Sequence, residues 1–313
     1  MTVRLGYLLP TRERIMVGVH ETSRILELAD VAEAVGLDSV WIGDSLLFKP
    51  RHEPLALLAA IAGRTKRITL GTAVLLPMLR NPVLLAHQAA TIDQISEGRL
   101  ILGVGTSRDV PAARAEFEAA GVPFEKRIGR MLEGIRLCRA LWTGEKVSWE
   151  GRWTVTDATL APKPFTPGGP TIWGDGAVPG ALKRSAVNFE GWMPAGPGDG
   201  AAWGSKWTEL KGYAAEAGRD PAAITGAAYV TVAVNQDSVA AQAELDDYLS
   251  RYYNLAPESV RADQHTFAGE RAAVTAWLNG FVEAGATHLC VRFAGSDDER
   301  QMEVLAGMGR QFA

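Results

Sequence analysis

The feature that most constrains the fold is a regular alternation of short β-rich runs and longer amphipathic segments, from one end of the chain to the other. Such a rhythm is typical of strands joined by helical crossovers. The predicted strands cover residues 5–9, 39–43, 68–75, 100–104, 171–173, 191–193, 229–234 and 288–293. The predicted helices cover residues 21–34, a segment after 54, 81–95, 112–119, 127–141, 179–187, 205–217, 238–253, 270–284 and 298–309.

Eight such steps fit either a closed barrel or an open, doubly wound sheet. No glycine-rich fingerprint follows the first strand, where the open fold would place it. We therefore predict an α/β fold, a (β/α)8 TIM barrel, as a single domain over residues 1–313. The irregular part between the fourth and fifth strands is interpreted as an insertion, with a hairpin over 147–155 that turns at Glu150 and Gly151.

Composition removes several classes of function. A net charge of −4 without a basic run argues against a nucleic-acid or anionic membrane partner. Two cysteines exclude a disulfide framework, and five scattered histidines show no ligand spacing, so no metal site is predicted. The N-terminus does not resemble a signal peptide and no apolar run reaches spanning length, so we expect a cytoplasmic enzyme with a small organic substrate.

In a parallel barrel the functional groups follow the carboxyl ends of the strands. The second strand leads to Asp44, whose carboxylate could accept a proton or instead cap a loop. His52 lies in the same loop and is a second candidate acid or base. Asp44 and His52 are therefore the candidate catalytic residues.

The next strand ends suggest ligand contacts. Thr72, Ala73 and Val74 follow a glycine in the third strand, where a flat ligand could approach the backbone. Gly105 and Thr106 follow the fourth strand and leave room for a ligand. The first pattern also fits ordinary strand termination, and the second also fits a tight turn between strand and helix.

The best phosphate-site candidate follows the fifth strand. Gly174, Asp175, Gly176 and Ala177 precede a helix that contains Lys183 and Arg184, so free N–H groups and the positive helix end could face a phosphate. An acidic residue within this loop works against the assignment.

Several blocks together resemble the bacterial luciferase-like monooxygenase superfamily, in particular its F420-dependent oxidoreductase branch, over nearly the whole length. The blocks are residues 70–74, 80–82, 85–86, 91–93, 96–105, 116–117, 121–124, 140–142, 169–174, 284–289 and 291–293.

The resemblance implies a barrel that binds F420, or alternatively FMN, with the ring near the ends of strands two to four. It implies a non-prolyl cis peptide at Ala73–Val74, a ring-contacting acid at Asp44, and a phosphate loop around Gly176. Two departures stand out. Ser45 occupies a position where several F420-dependent members have histidine, and Asp175 replaces a glycine.

Three functions remain open on the sequence. The first is an F420-dependent oxidoreductase that transfers a hydride between the deazaflavin and a small organic substrate. The second is an FMN-dependent monooxygenase that uses reduced flavin and O2. The third is a barrel that binds a flavin or metabolite without turnover. The resemblance admits a separate flavin or F420 reductase and a homodimer as partners.

Overall fold

A computed structural model describes residues 3–312. The strands are β1 Arg4–Leu8, β2 Ser39–Ile42, β3 Thr69–Thr72, β4 Leu100–Val104, β5 Val147–Trp149, β6 Val155–Ala158, β7 Thr171–Gly174, β8 Gly191–Trp192, β9 Thr225–Val234, β10 Thr266–Gly269 and β11 His288–Phe293. The α-helices are α1 Thr11–Met16, α2 Ser23–Ala34, α3 Pro54–Arg64, α4 Pro82–Ser96, α5 Pro111–Ala119, α6 Arg127–Trp142, α7 Pro179–Asn188, α8 Gly200–Glu216, α9 Ser238–Tyr253, α10 Pro257–Arg261, α11 Arg271–Glu283 and α12 Asp298–Gly309.

Eight parallel strands close into a barrel, as the sequence predicts. The order around the wall is β1, β2, β3, β4, β7, β8, β9 and β11, and β11 pairs again with β1. Helices surround this wall, so the chain is an α/β TIM barrel. Among residues 3–312, every helix is too short or too polar to cross a lipid bilayer.

Aromatic side chains fill the barrel interior. The rings of Trp41 and Trp173 lie 5.3 Å apart, and His288 packs edge-on against both. Gly71 makes room for them, because a Cβ there would lie 2.1 Å from the Trp41 ring. Burial lowers the pKa of His288 to about 3, so the ring is neutral and shares a 2.7 Å hydrogen bond with Ser39. This aromatic layer supports the mouth above it.

The predicted insertion lies between β4 and β7, where α5, α6 and the antiparallel pair β5–β6 are added to the barrel. The hairpin is confirmed, but its predicted turn at Glu150–Gly151 is too short, since the connection takes residues 150–154. Glu133 explains the longer loop, because its carboxylate accepts hydrogen bonds from the Arg152 backbone and guanidinium. That buried acceptor draws the loop onto α6.

Three elements were not predicted: α1, α10 and β10. Strand β10 pairs with the second half of β9, on the side where β8 pairs with its first residues. It therefore continues the wall above β8, which is only two residues long. Helix α8 also begins earlier than predicted, at Gly200, because the Asp199 carboxylate caps it by accepting from the N–H of Ala201 at 3.0 Å.

Candidate active site at the barrel mouth

A cavity of about 690 Å³ lies at the carboxyl ends of the strands. The loops after β2, β3, β4, β7 and β8 form its walls, together with side chains from β9, α9 and β11. This is the end of a TIM barrel at which active sites form.

The end of β3 forms one surface of the cavity. Ala73 and Val74 line it and are joined by a cis peptide bond, as predicted. Thr72 lies behind them, fully buried, and its hydroxyl donates to the Gly103 carbonyl at 2.8 Å. We call Ala73 and Val74 the β3 platform.

Gly105 keeps the end of β4 close to the β3 platform. A Cβ at this position would lie 2.5 Å from Val74 Cγ2 and 3.2 Å from Asp175 Oδ2. Gly105 itself does not line the cavity, but Thr106 and Ser107 directly after it do. Glycine is thus required here for packing beside the platform.

Asp44 lies at the cavity, but its oxygens are already engaged. Oδ2 accepts from the Leu76 N–H at 2.9 Å and from Arg80 Nη1 at 2.5 Å, and Oδ1 accepts from Arg80 Nη2 at 3.1 Å. Arg80 also pairs with Glu53 at 2.8 Å. The arrangement ties the loop after β2 to the segment after β3, and we call Asp44, Arg80 and Glu53 the acid–arginine triad.

Ser45 is coupled to a carboxylate that the sequence did not single out as a site residue. Its hydroxyl donates to Glu116 Oε1 at 2.7 Å, and the same oxygen accepts from the N–H of Leu47 at 2.7 Å. Glu116 is 1% exposed and lines the cavity from α5. Its other oxygen, Oε2, is buried without a hydrogen-bond partner among the residues from 3 to 312.

The predicted phosphate loop lies on the opposite wall. Asp175, Gly176 and Ala177 line the cavity just before α7, whereas Gly174 is buried behind them against Ser185. Burial raises the pKa of Asp175, although the N–H groups of Gly176 and another loop residue oppose the shift.

Two arginines add positive charge to this wall. Arg184 lines the cavity from α7, while its neighbour Lys183 is exposed outside the cavity. Arg127 donates to the Thr106 carbonyl at 3.0 Å and stacks 3.8 Å from the centre of the Phe124 ring. With the start of α7, these guanidiniums could bind an anionic group.

His52 does not reach the cavity. Its Nε2 lies 2.8 Å from the carbonyl oxygen of His20, and the ring is not among the cavity-lining groups. Its proposed role as acid or base stays a prediction, and the position of the ring outside the cavity does not support it.

Lys49, Arg51 and Arg292 form a third charged group, which we call the cation cluster. All three line the cavity, Lys49 and Arg51 from the loop after β2 and Arg292 from β11. Arg292 was noted in the sequence only as part of a family block, and neither Lys49 nor Arg51 belongs to a motif. A cluster assembled from distant segments leaves no local signal in the sequence.

Comparison with known proteins agrees with this architecture. The family model described as luciferase-like monooxygenase matches residues 3–303. The chain belongs to the luciferase-like monooxygenase family. The resemblance inferred from the sequence blocks is therefore confirmed.

Two curated relatives of this luciferase-like chain carry the same name, F420-dependent glucose-6-phosphate dehydrogenase. The protein from Amycolatopsis mediterranei is 37% identical over 194 residues, which is 55% of this chain and 57% of the relative. The protein from Kineococcus radiotolerans is 29% identical over 308 residues, which is 88% of this chain and 89% of the relative.

Solved structures with low identity share the luciferase-like fold. An F420-dependent secondary alcohol dehydrogenase in complex with an F420–acetone adduct has a TM-score of 0.83 at 21% identity and covers 98% of each chain. The monooxygenase RslO1 from Streptomyces bottropensis has a TM-score of 0.82 at 23% identity, covering 97% of this chain and 98% of its own.

Proposed function

We propose that this chain is an F420-dependent oxidoreductase that transfers a hydride between the deazaflavin and a small organic substrate in the cavity at the barrel mouth. The observation that carries the proposal is one continuous cavity that joins the β3 platform to a cationic wall. Curated relatives whose names specify F420, one of them matched over 89% of its length, favour this cofactor.

The residues present fit such a cofactor. Gly105 lets Val74 keep its place in the β3 platform, since a Cβ there would lie 2.5 Å from Val74 Cγ2, and Gly176 lines the cavity with backbone alone, at φ +93°. Ala73 and Val74 offer an apolar surface for the ring, and Arg127 and Arg184 offer charge for its phosphate-bearing tail. When bound, F420 supplies the hydride chemistry.

The chain's own groups then hold and shield the reactants. The acid–arginine triad fixes the loop after β2 against the end of β3 and keeps that wall in place. Asp44 and His52 stay our predicted proton-transfer residues. Asp44 contacts the cavity, although its bonds to Arg80 favour an orienting role.

The decisive experiment is a titration of the purified protein with F420 and, separately, with FMN, followed by the quenching of cofactor fluorescence. We expect saturable binding of F420, tighter than that of FMN. Absence of F420 binding, or clear preference for FMN, would overturn the proposal.

An FMN-dependent monooxygenase is the second candidate, favoured by the structural likeness to RslO1. Oxygen uptake with supplied reduced FMN tests it directly. A separate reductase that recycles the cofactor and a homodimer are further proposals, and mass measurement in solution tests the dimer. A barrel that binds a cofactor without turnover would show binding in the titration and no product with any substrate.

A further inference from the structure

In contrast to Arg80 of the acid–arginine triad, no member of the cation cluster pairs with a carboxylate among residues 3–312. Arg292 is 2% exposed, and its hydrogen bonds reach neutral groups only. Its Nη2 donates to the Thr231 hydroxyl at 2.8 Å and to the Tyr253 hydroxyl at 2.9 Å. Nη1 of Arg292 makes no hydrogen bond within residues 3–312.

The other two members also lack an ion pair among residues 3–312, although the Glu13 carboxylate acts on Arg51 from beyond ion-pair distance. Arg51 donates to the Lys49 carbonyl at 3.2 Å and to the Tyr252 hydroxyl at 3.3 Å. The Lys49 ammonium lies 4.2 Å from the centre of the Tyr253 ring, a cation–π contact that leaves its net charge unchanged. Within the described part of the chain, none of the three forms an ion pair.

Grouping three enclosed positive charges is unfavourable for the protein alone. A charge that leaves water without a partner costs free energy, and like charges add repulsion. Around Lys49 the effect is large, because burial first and then Arg51, Arg12 and Arg292 lower the pKa of its ammonium to about 7. A bound anion would remove the cost.

The cluster also lies where a substrate would be placed. The Arg51 guanidinium fills the space that a side chain at Gly43 would take, since a Cβ there would lie 1.9 Å from Arg51 Nη1 and 3.4 Å from the Ala73 carbonyl oxygen. Arg51 therefore adjoins the β3 platform. Arg127 and Arg184 come from α6 and α7, whereas the cation cluster comes from the loop after β2 and from β11.

We propose that the cation cluster is an oxyanion-binding subsite, and that the substrate of this enzyme is an organic anion, a carboxylate or a phosphate ester. Lys49, Arg51 and Arg292 bind the oxyanion, and Tyr229 and Tyr253 contact the organic part beside it. The inference rests on the proposed function only in naming this anion as the substrate.

The test compares matched ligands on the F420-saturated protein, so that the cofactor occupies its own charged wall. Benzoate, its neutral analogue benzamide, and phenyl phosphate are titrated by calorimetry in a buffer without competing oxyanions. We expect binding of benzoate or phenyl phosphate at least about tenfold tighter than that of benzamide, because hydrogen bonds to charged groups are the strong ones. The two anions distinguish a carboxylate from a phosphate site.

Variants locate the binding. Arg51→Gln and Lys49→Gln should each weaken the favoured anion about tenfold and leave the affinity for F420 within about twofold. Gly43→Ala should act like Arg51→Gln, since the added methyl displaces the guanidinium. Lys183→Gln is the control, with the same charge change on an exposed residue of α7.

Equal binding of benzoate, phenyl phosphate and benzamide would overturn the inference. So would variants that weaken F420 instead of the anion, because the cluster would then belong to the cofactor site. If the parent protein fails to bind F420, the proposed function fails, and the same titrations on cofactor-free protein still decide whether the cluster binds anions.

Discussion

Two charged groups share the loop after β2 and differ in how their charge is balanced. The acid–arginine triad closes on itself, with Arg80 held by Asp44 at 2.5 Å and by Glu53 at 2.8 Å. The cation cluster begins five residues after Asp44, at Lys49, and forms no ion pair within residues 3–312. A balanced group holds a loop in place, whereas an unbalanced group in a cavity is free to bind a charged ligand.

The largest expected effect comes from breaking the balanced group. Asp44→Asn should lower the free energy of unfolding by about 3 kcal/mol, because it leaves a mostly buried guanidinium short of its main partner. Urea unfolding measures the change. Asp30→Asn breaks the exposed pair with Arg64 and should cost much less, because water screens an exposed pair. Equal losses in the two variants would show that the triad does not stabilise the loop.

The second prediction concerns the packing beside the β3 platform. Gly105→Ala places a methyl 2.5 Å from Val74 Cγ2 and should cost about 1–3 kcal/mol of stability through overpacking. We expect a weaker affinity for F420 as well, measured by fluorescence quenching. Gly212→Ala, where the new methyl meets nothing within 4 Å, should leave F420 affinity unchanged and stabilise α8 slightly. Unchanged F420 affinity in Gly105→Ala would show that Val74 does not contact the cofactor ring.

Removing a charge from the cation cluster should raise the stability of the protein, whereas removing one from the acid–arginine triad should lower it. Lys49→Met is expected to raise the free energy of unfolding by about 1–2 kcal/mol near neutral pH, reduced from the full pKa shift because Lys49 is partly exposed to water. The folded pKa is lowered from 10.5 to about 7, chiefly by burial, so the unfolded chain binds the extra proton between these values. The penalty is therefore complete below pH 7 and disappears as pH rises toward 10.5.

Unfolding measured at pH 6, 8 and 10 tests this sign. The charges that face Lys49 come from its own loop, Arg51, and from other segments, Arg12, Arg292 and Arg108, and all of them stay protonated over this range. Lys183→Met is the control and should show no such pH dependence. A stability gain in Lys49→Met that is constant from pH 6 to 10 would contradict the depressed pKa.

The same contrast explains how far the sequence could predict the site. The barrel, the insertion and the cis peptide at Ala73–Val74 follow patterns that are local or shared by a family, and all three were predicted. The engagement of Asp44 by Arg80 was not, because it depends on a side chain 36 residues further along the chain. Neither the segment around Asp44 nor the segment around Arg80 predicts this ion pair by itself.

The cation cluster was beyond local inference for a related reason. Arg292 lies in an apolar strand, where period and hydropathy describe a core position, and it meets Lys49 only when the barrel closes. Strand β10 was missed similarly, since its pairing with β9 is set by tertiary contacts.

The smallest effect is expected at His52, the other residue of this loop that the sequence proposed for catalysis. Its ring contacts the His20 carbonyl at 2.8 Å and stays outside the cavity. His52→Gln keeps a side-chain donor there and should change stability by no more than about 1 kcal/mol. F420 affinity should stay within about twofold of the parent, and the dependence of turnover on pH should be unchanged. A large fall in kcat at unchanged F420 affinity would restore His52 as the acid or base, and would mean that the loop after β2 moves when substrate binds.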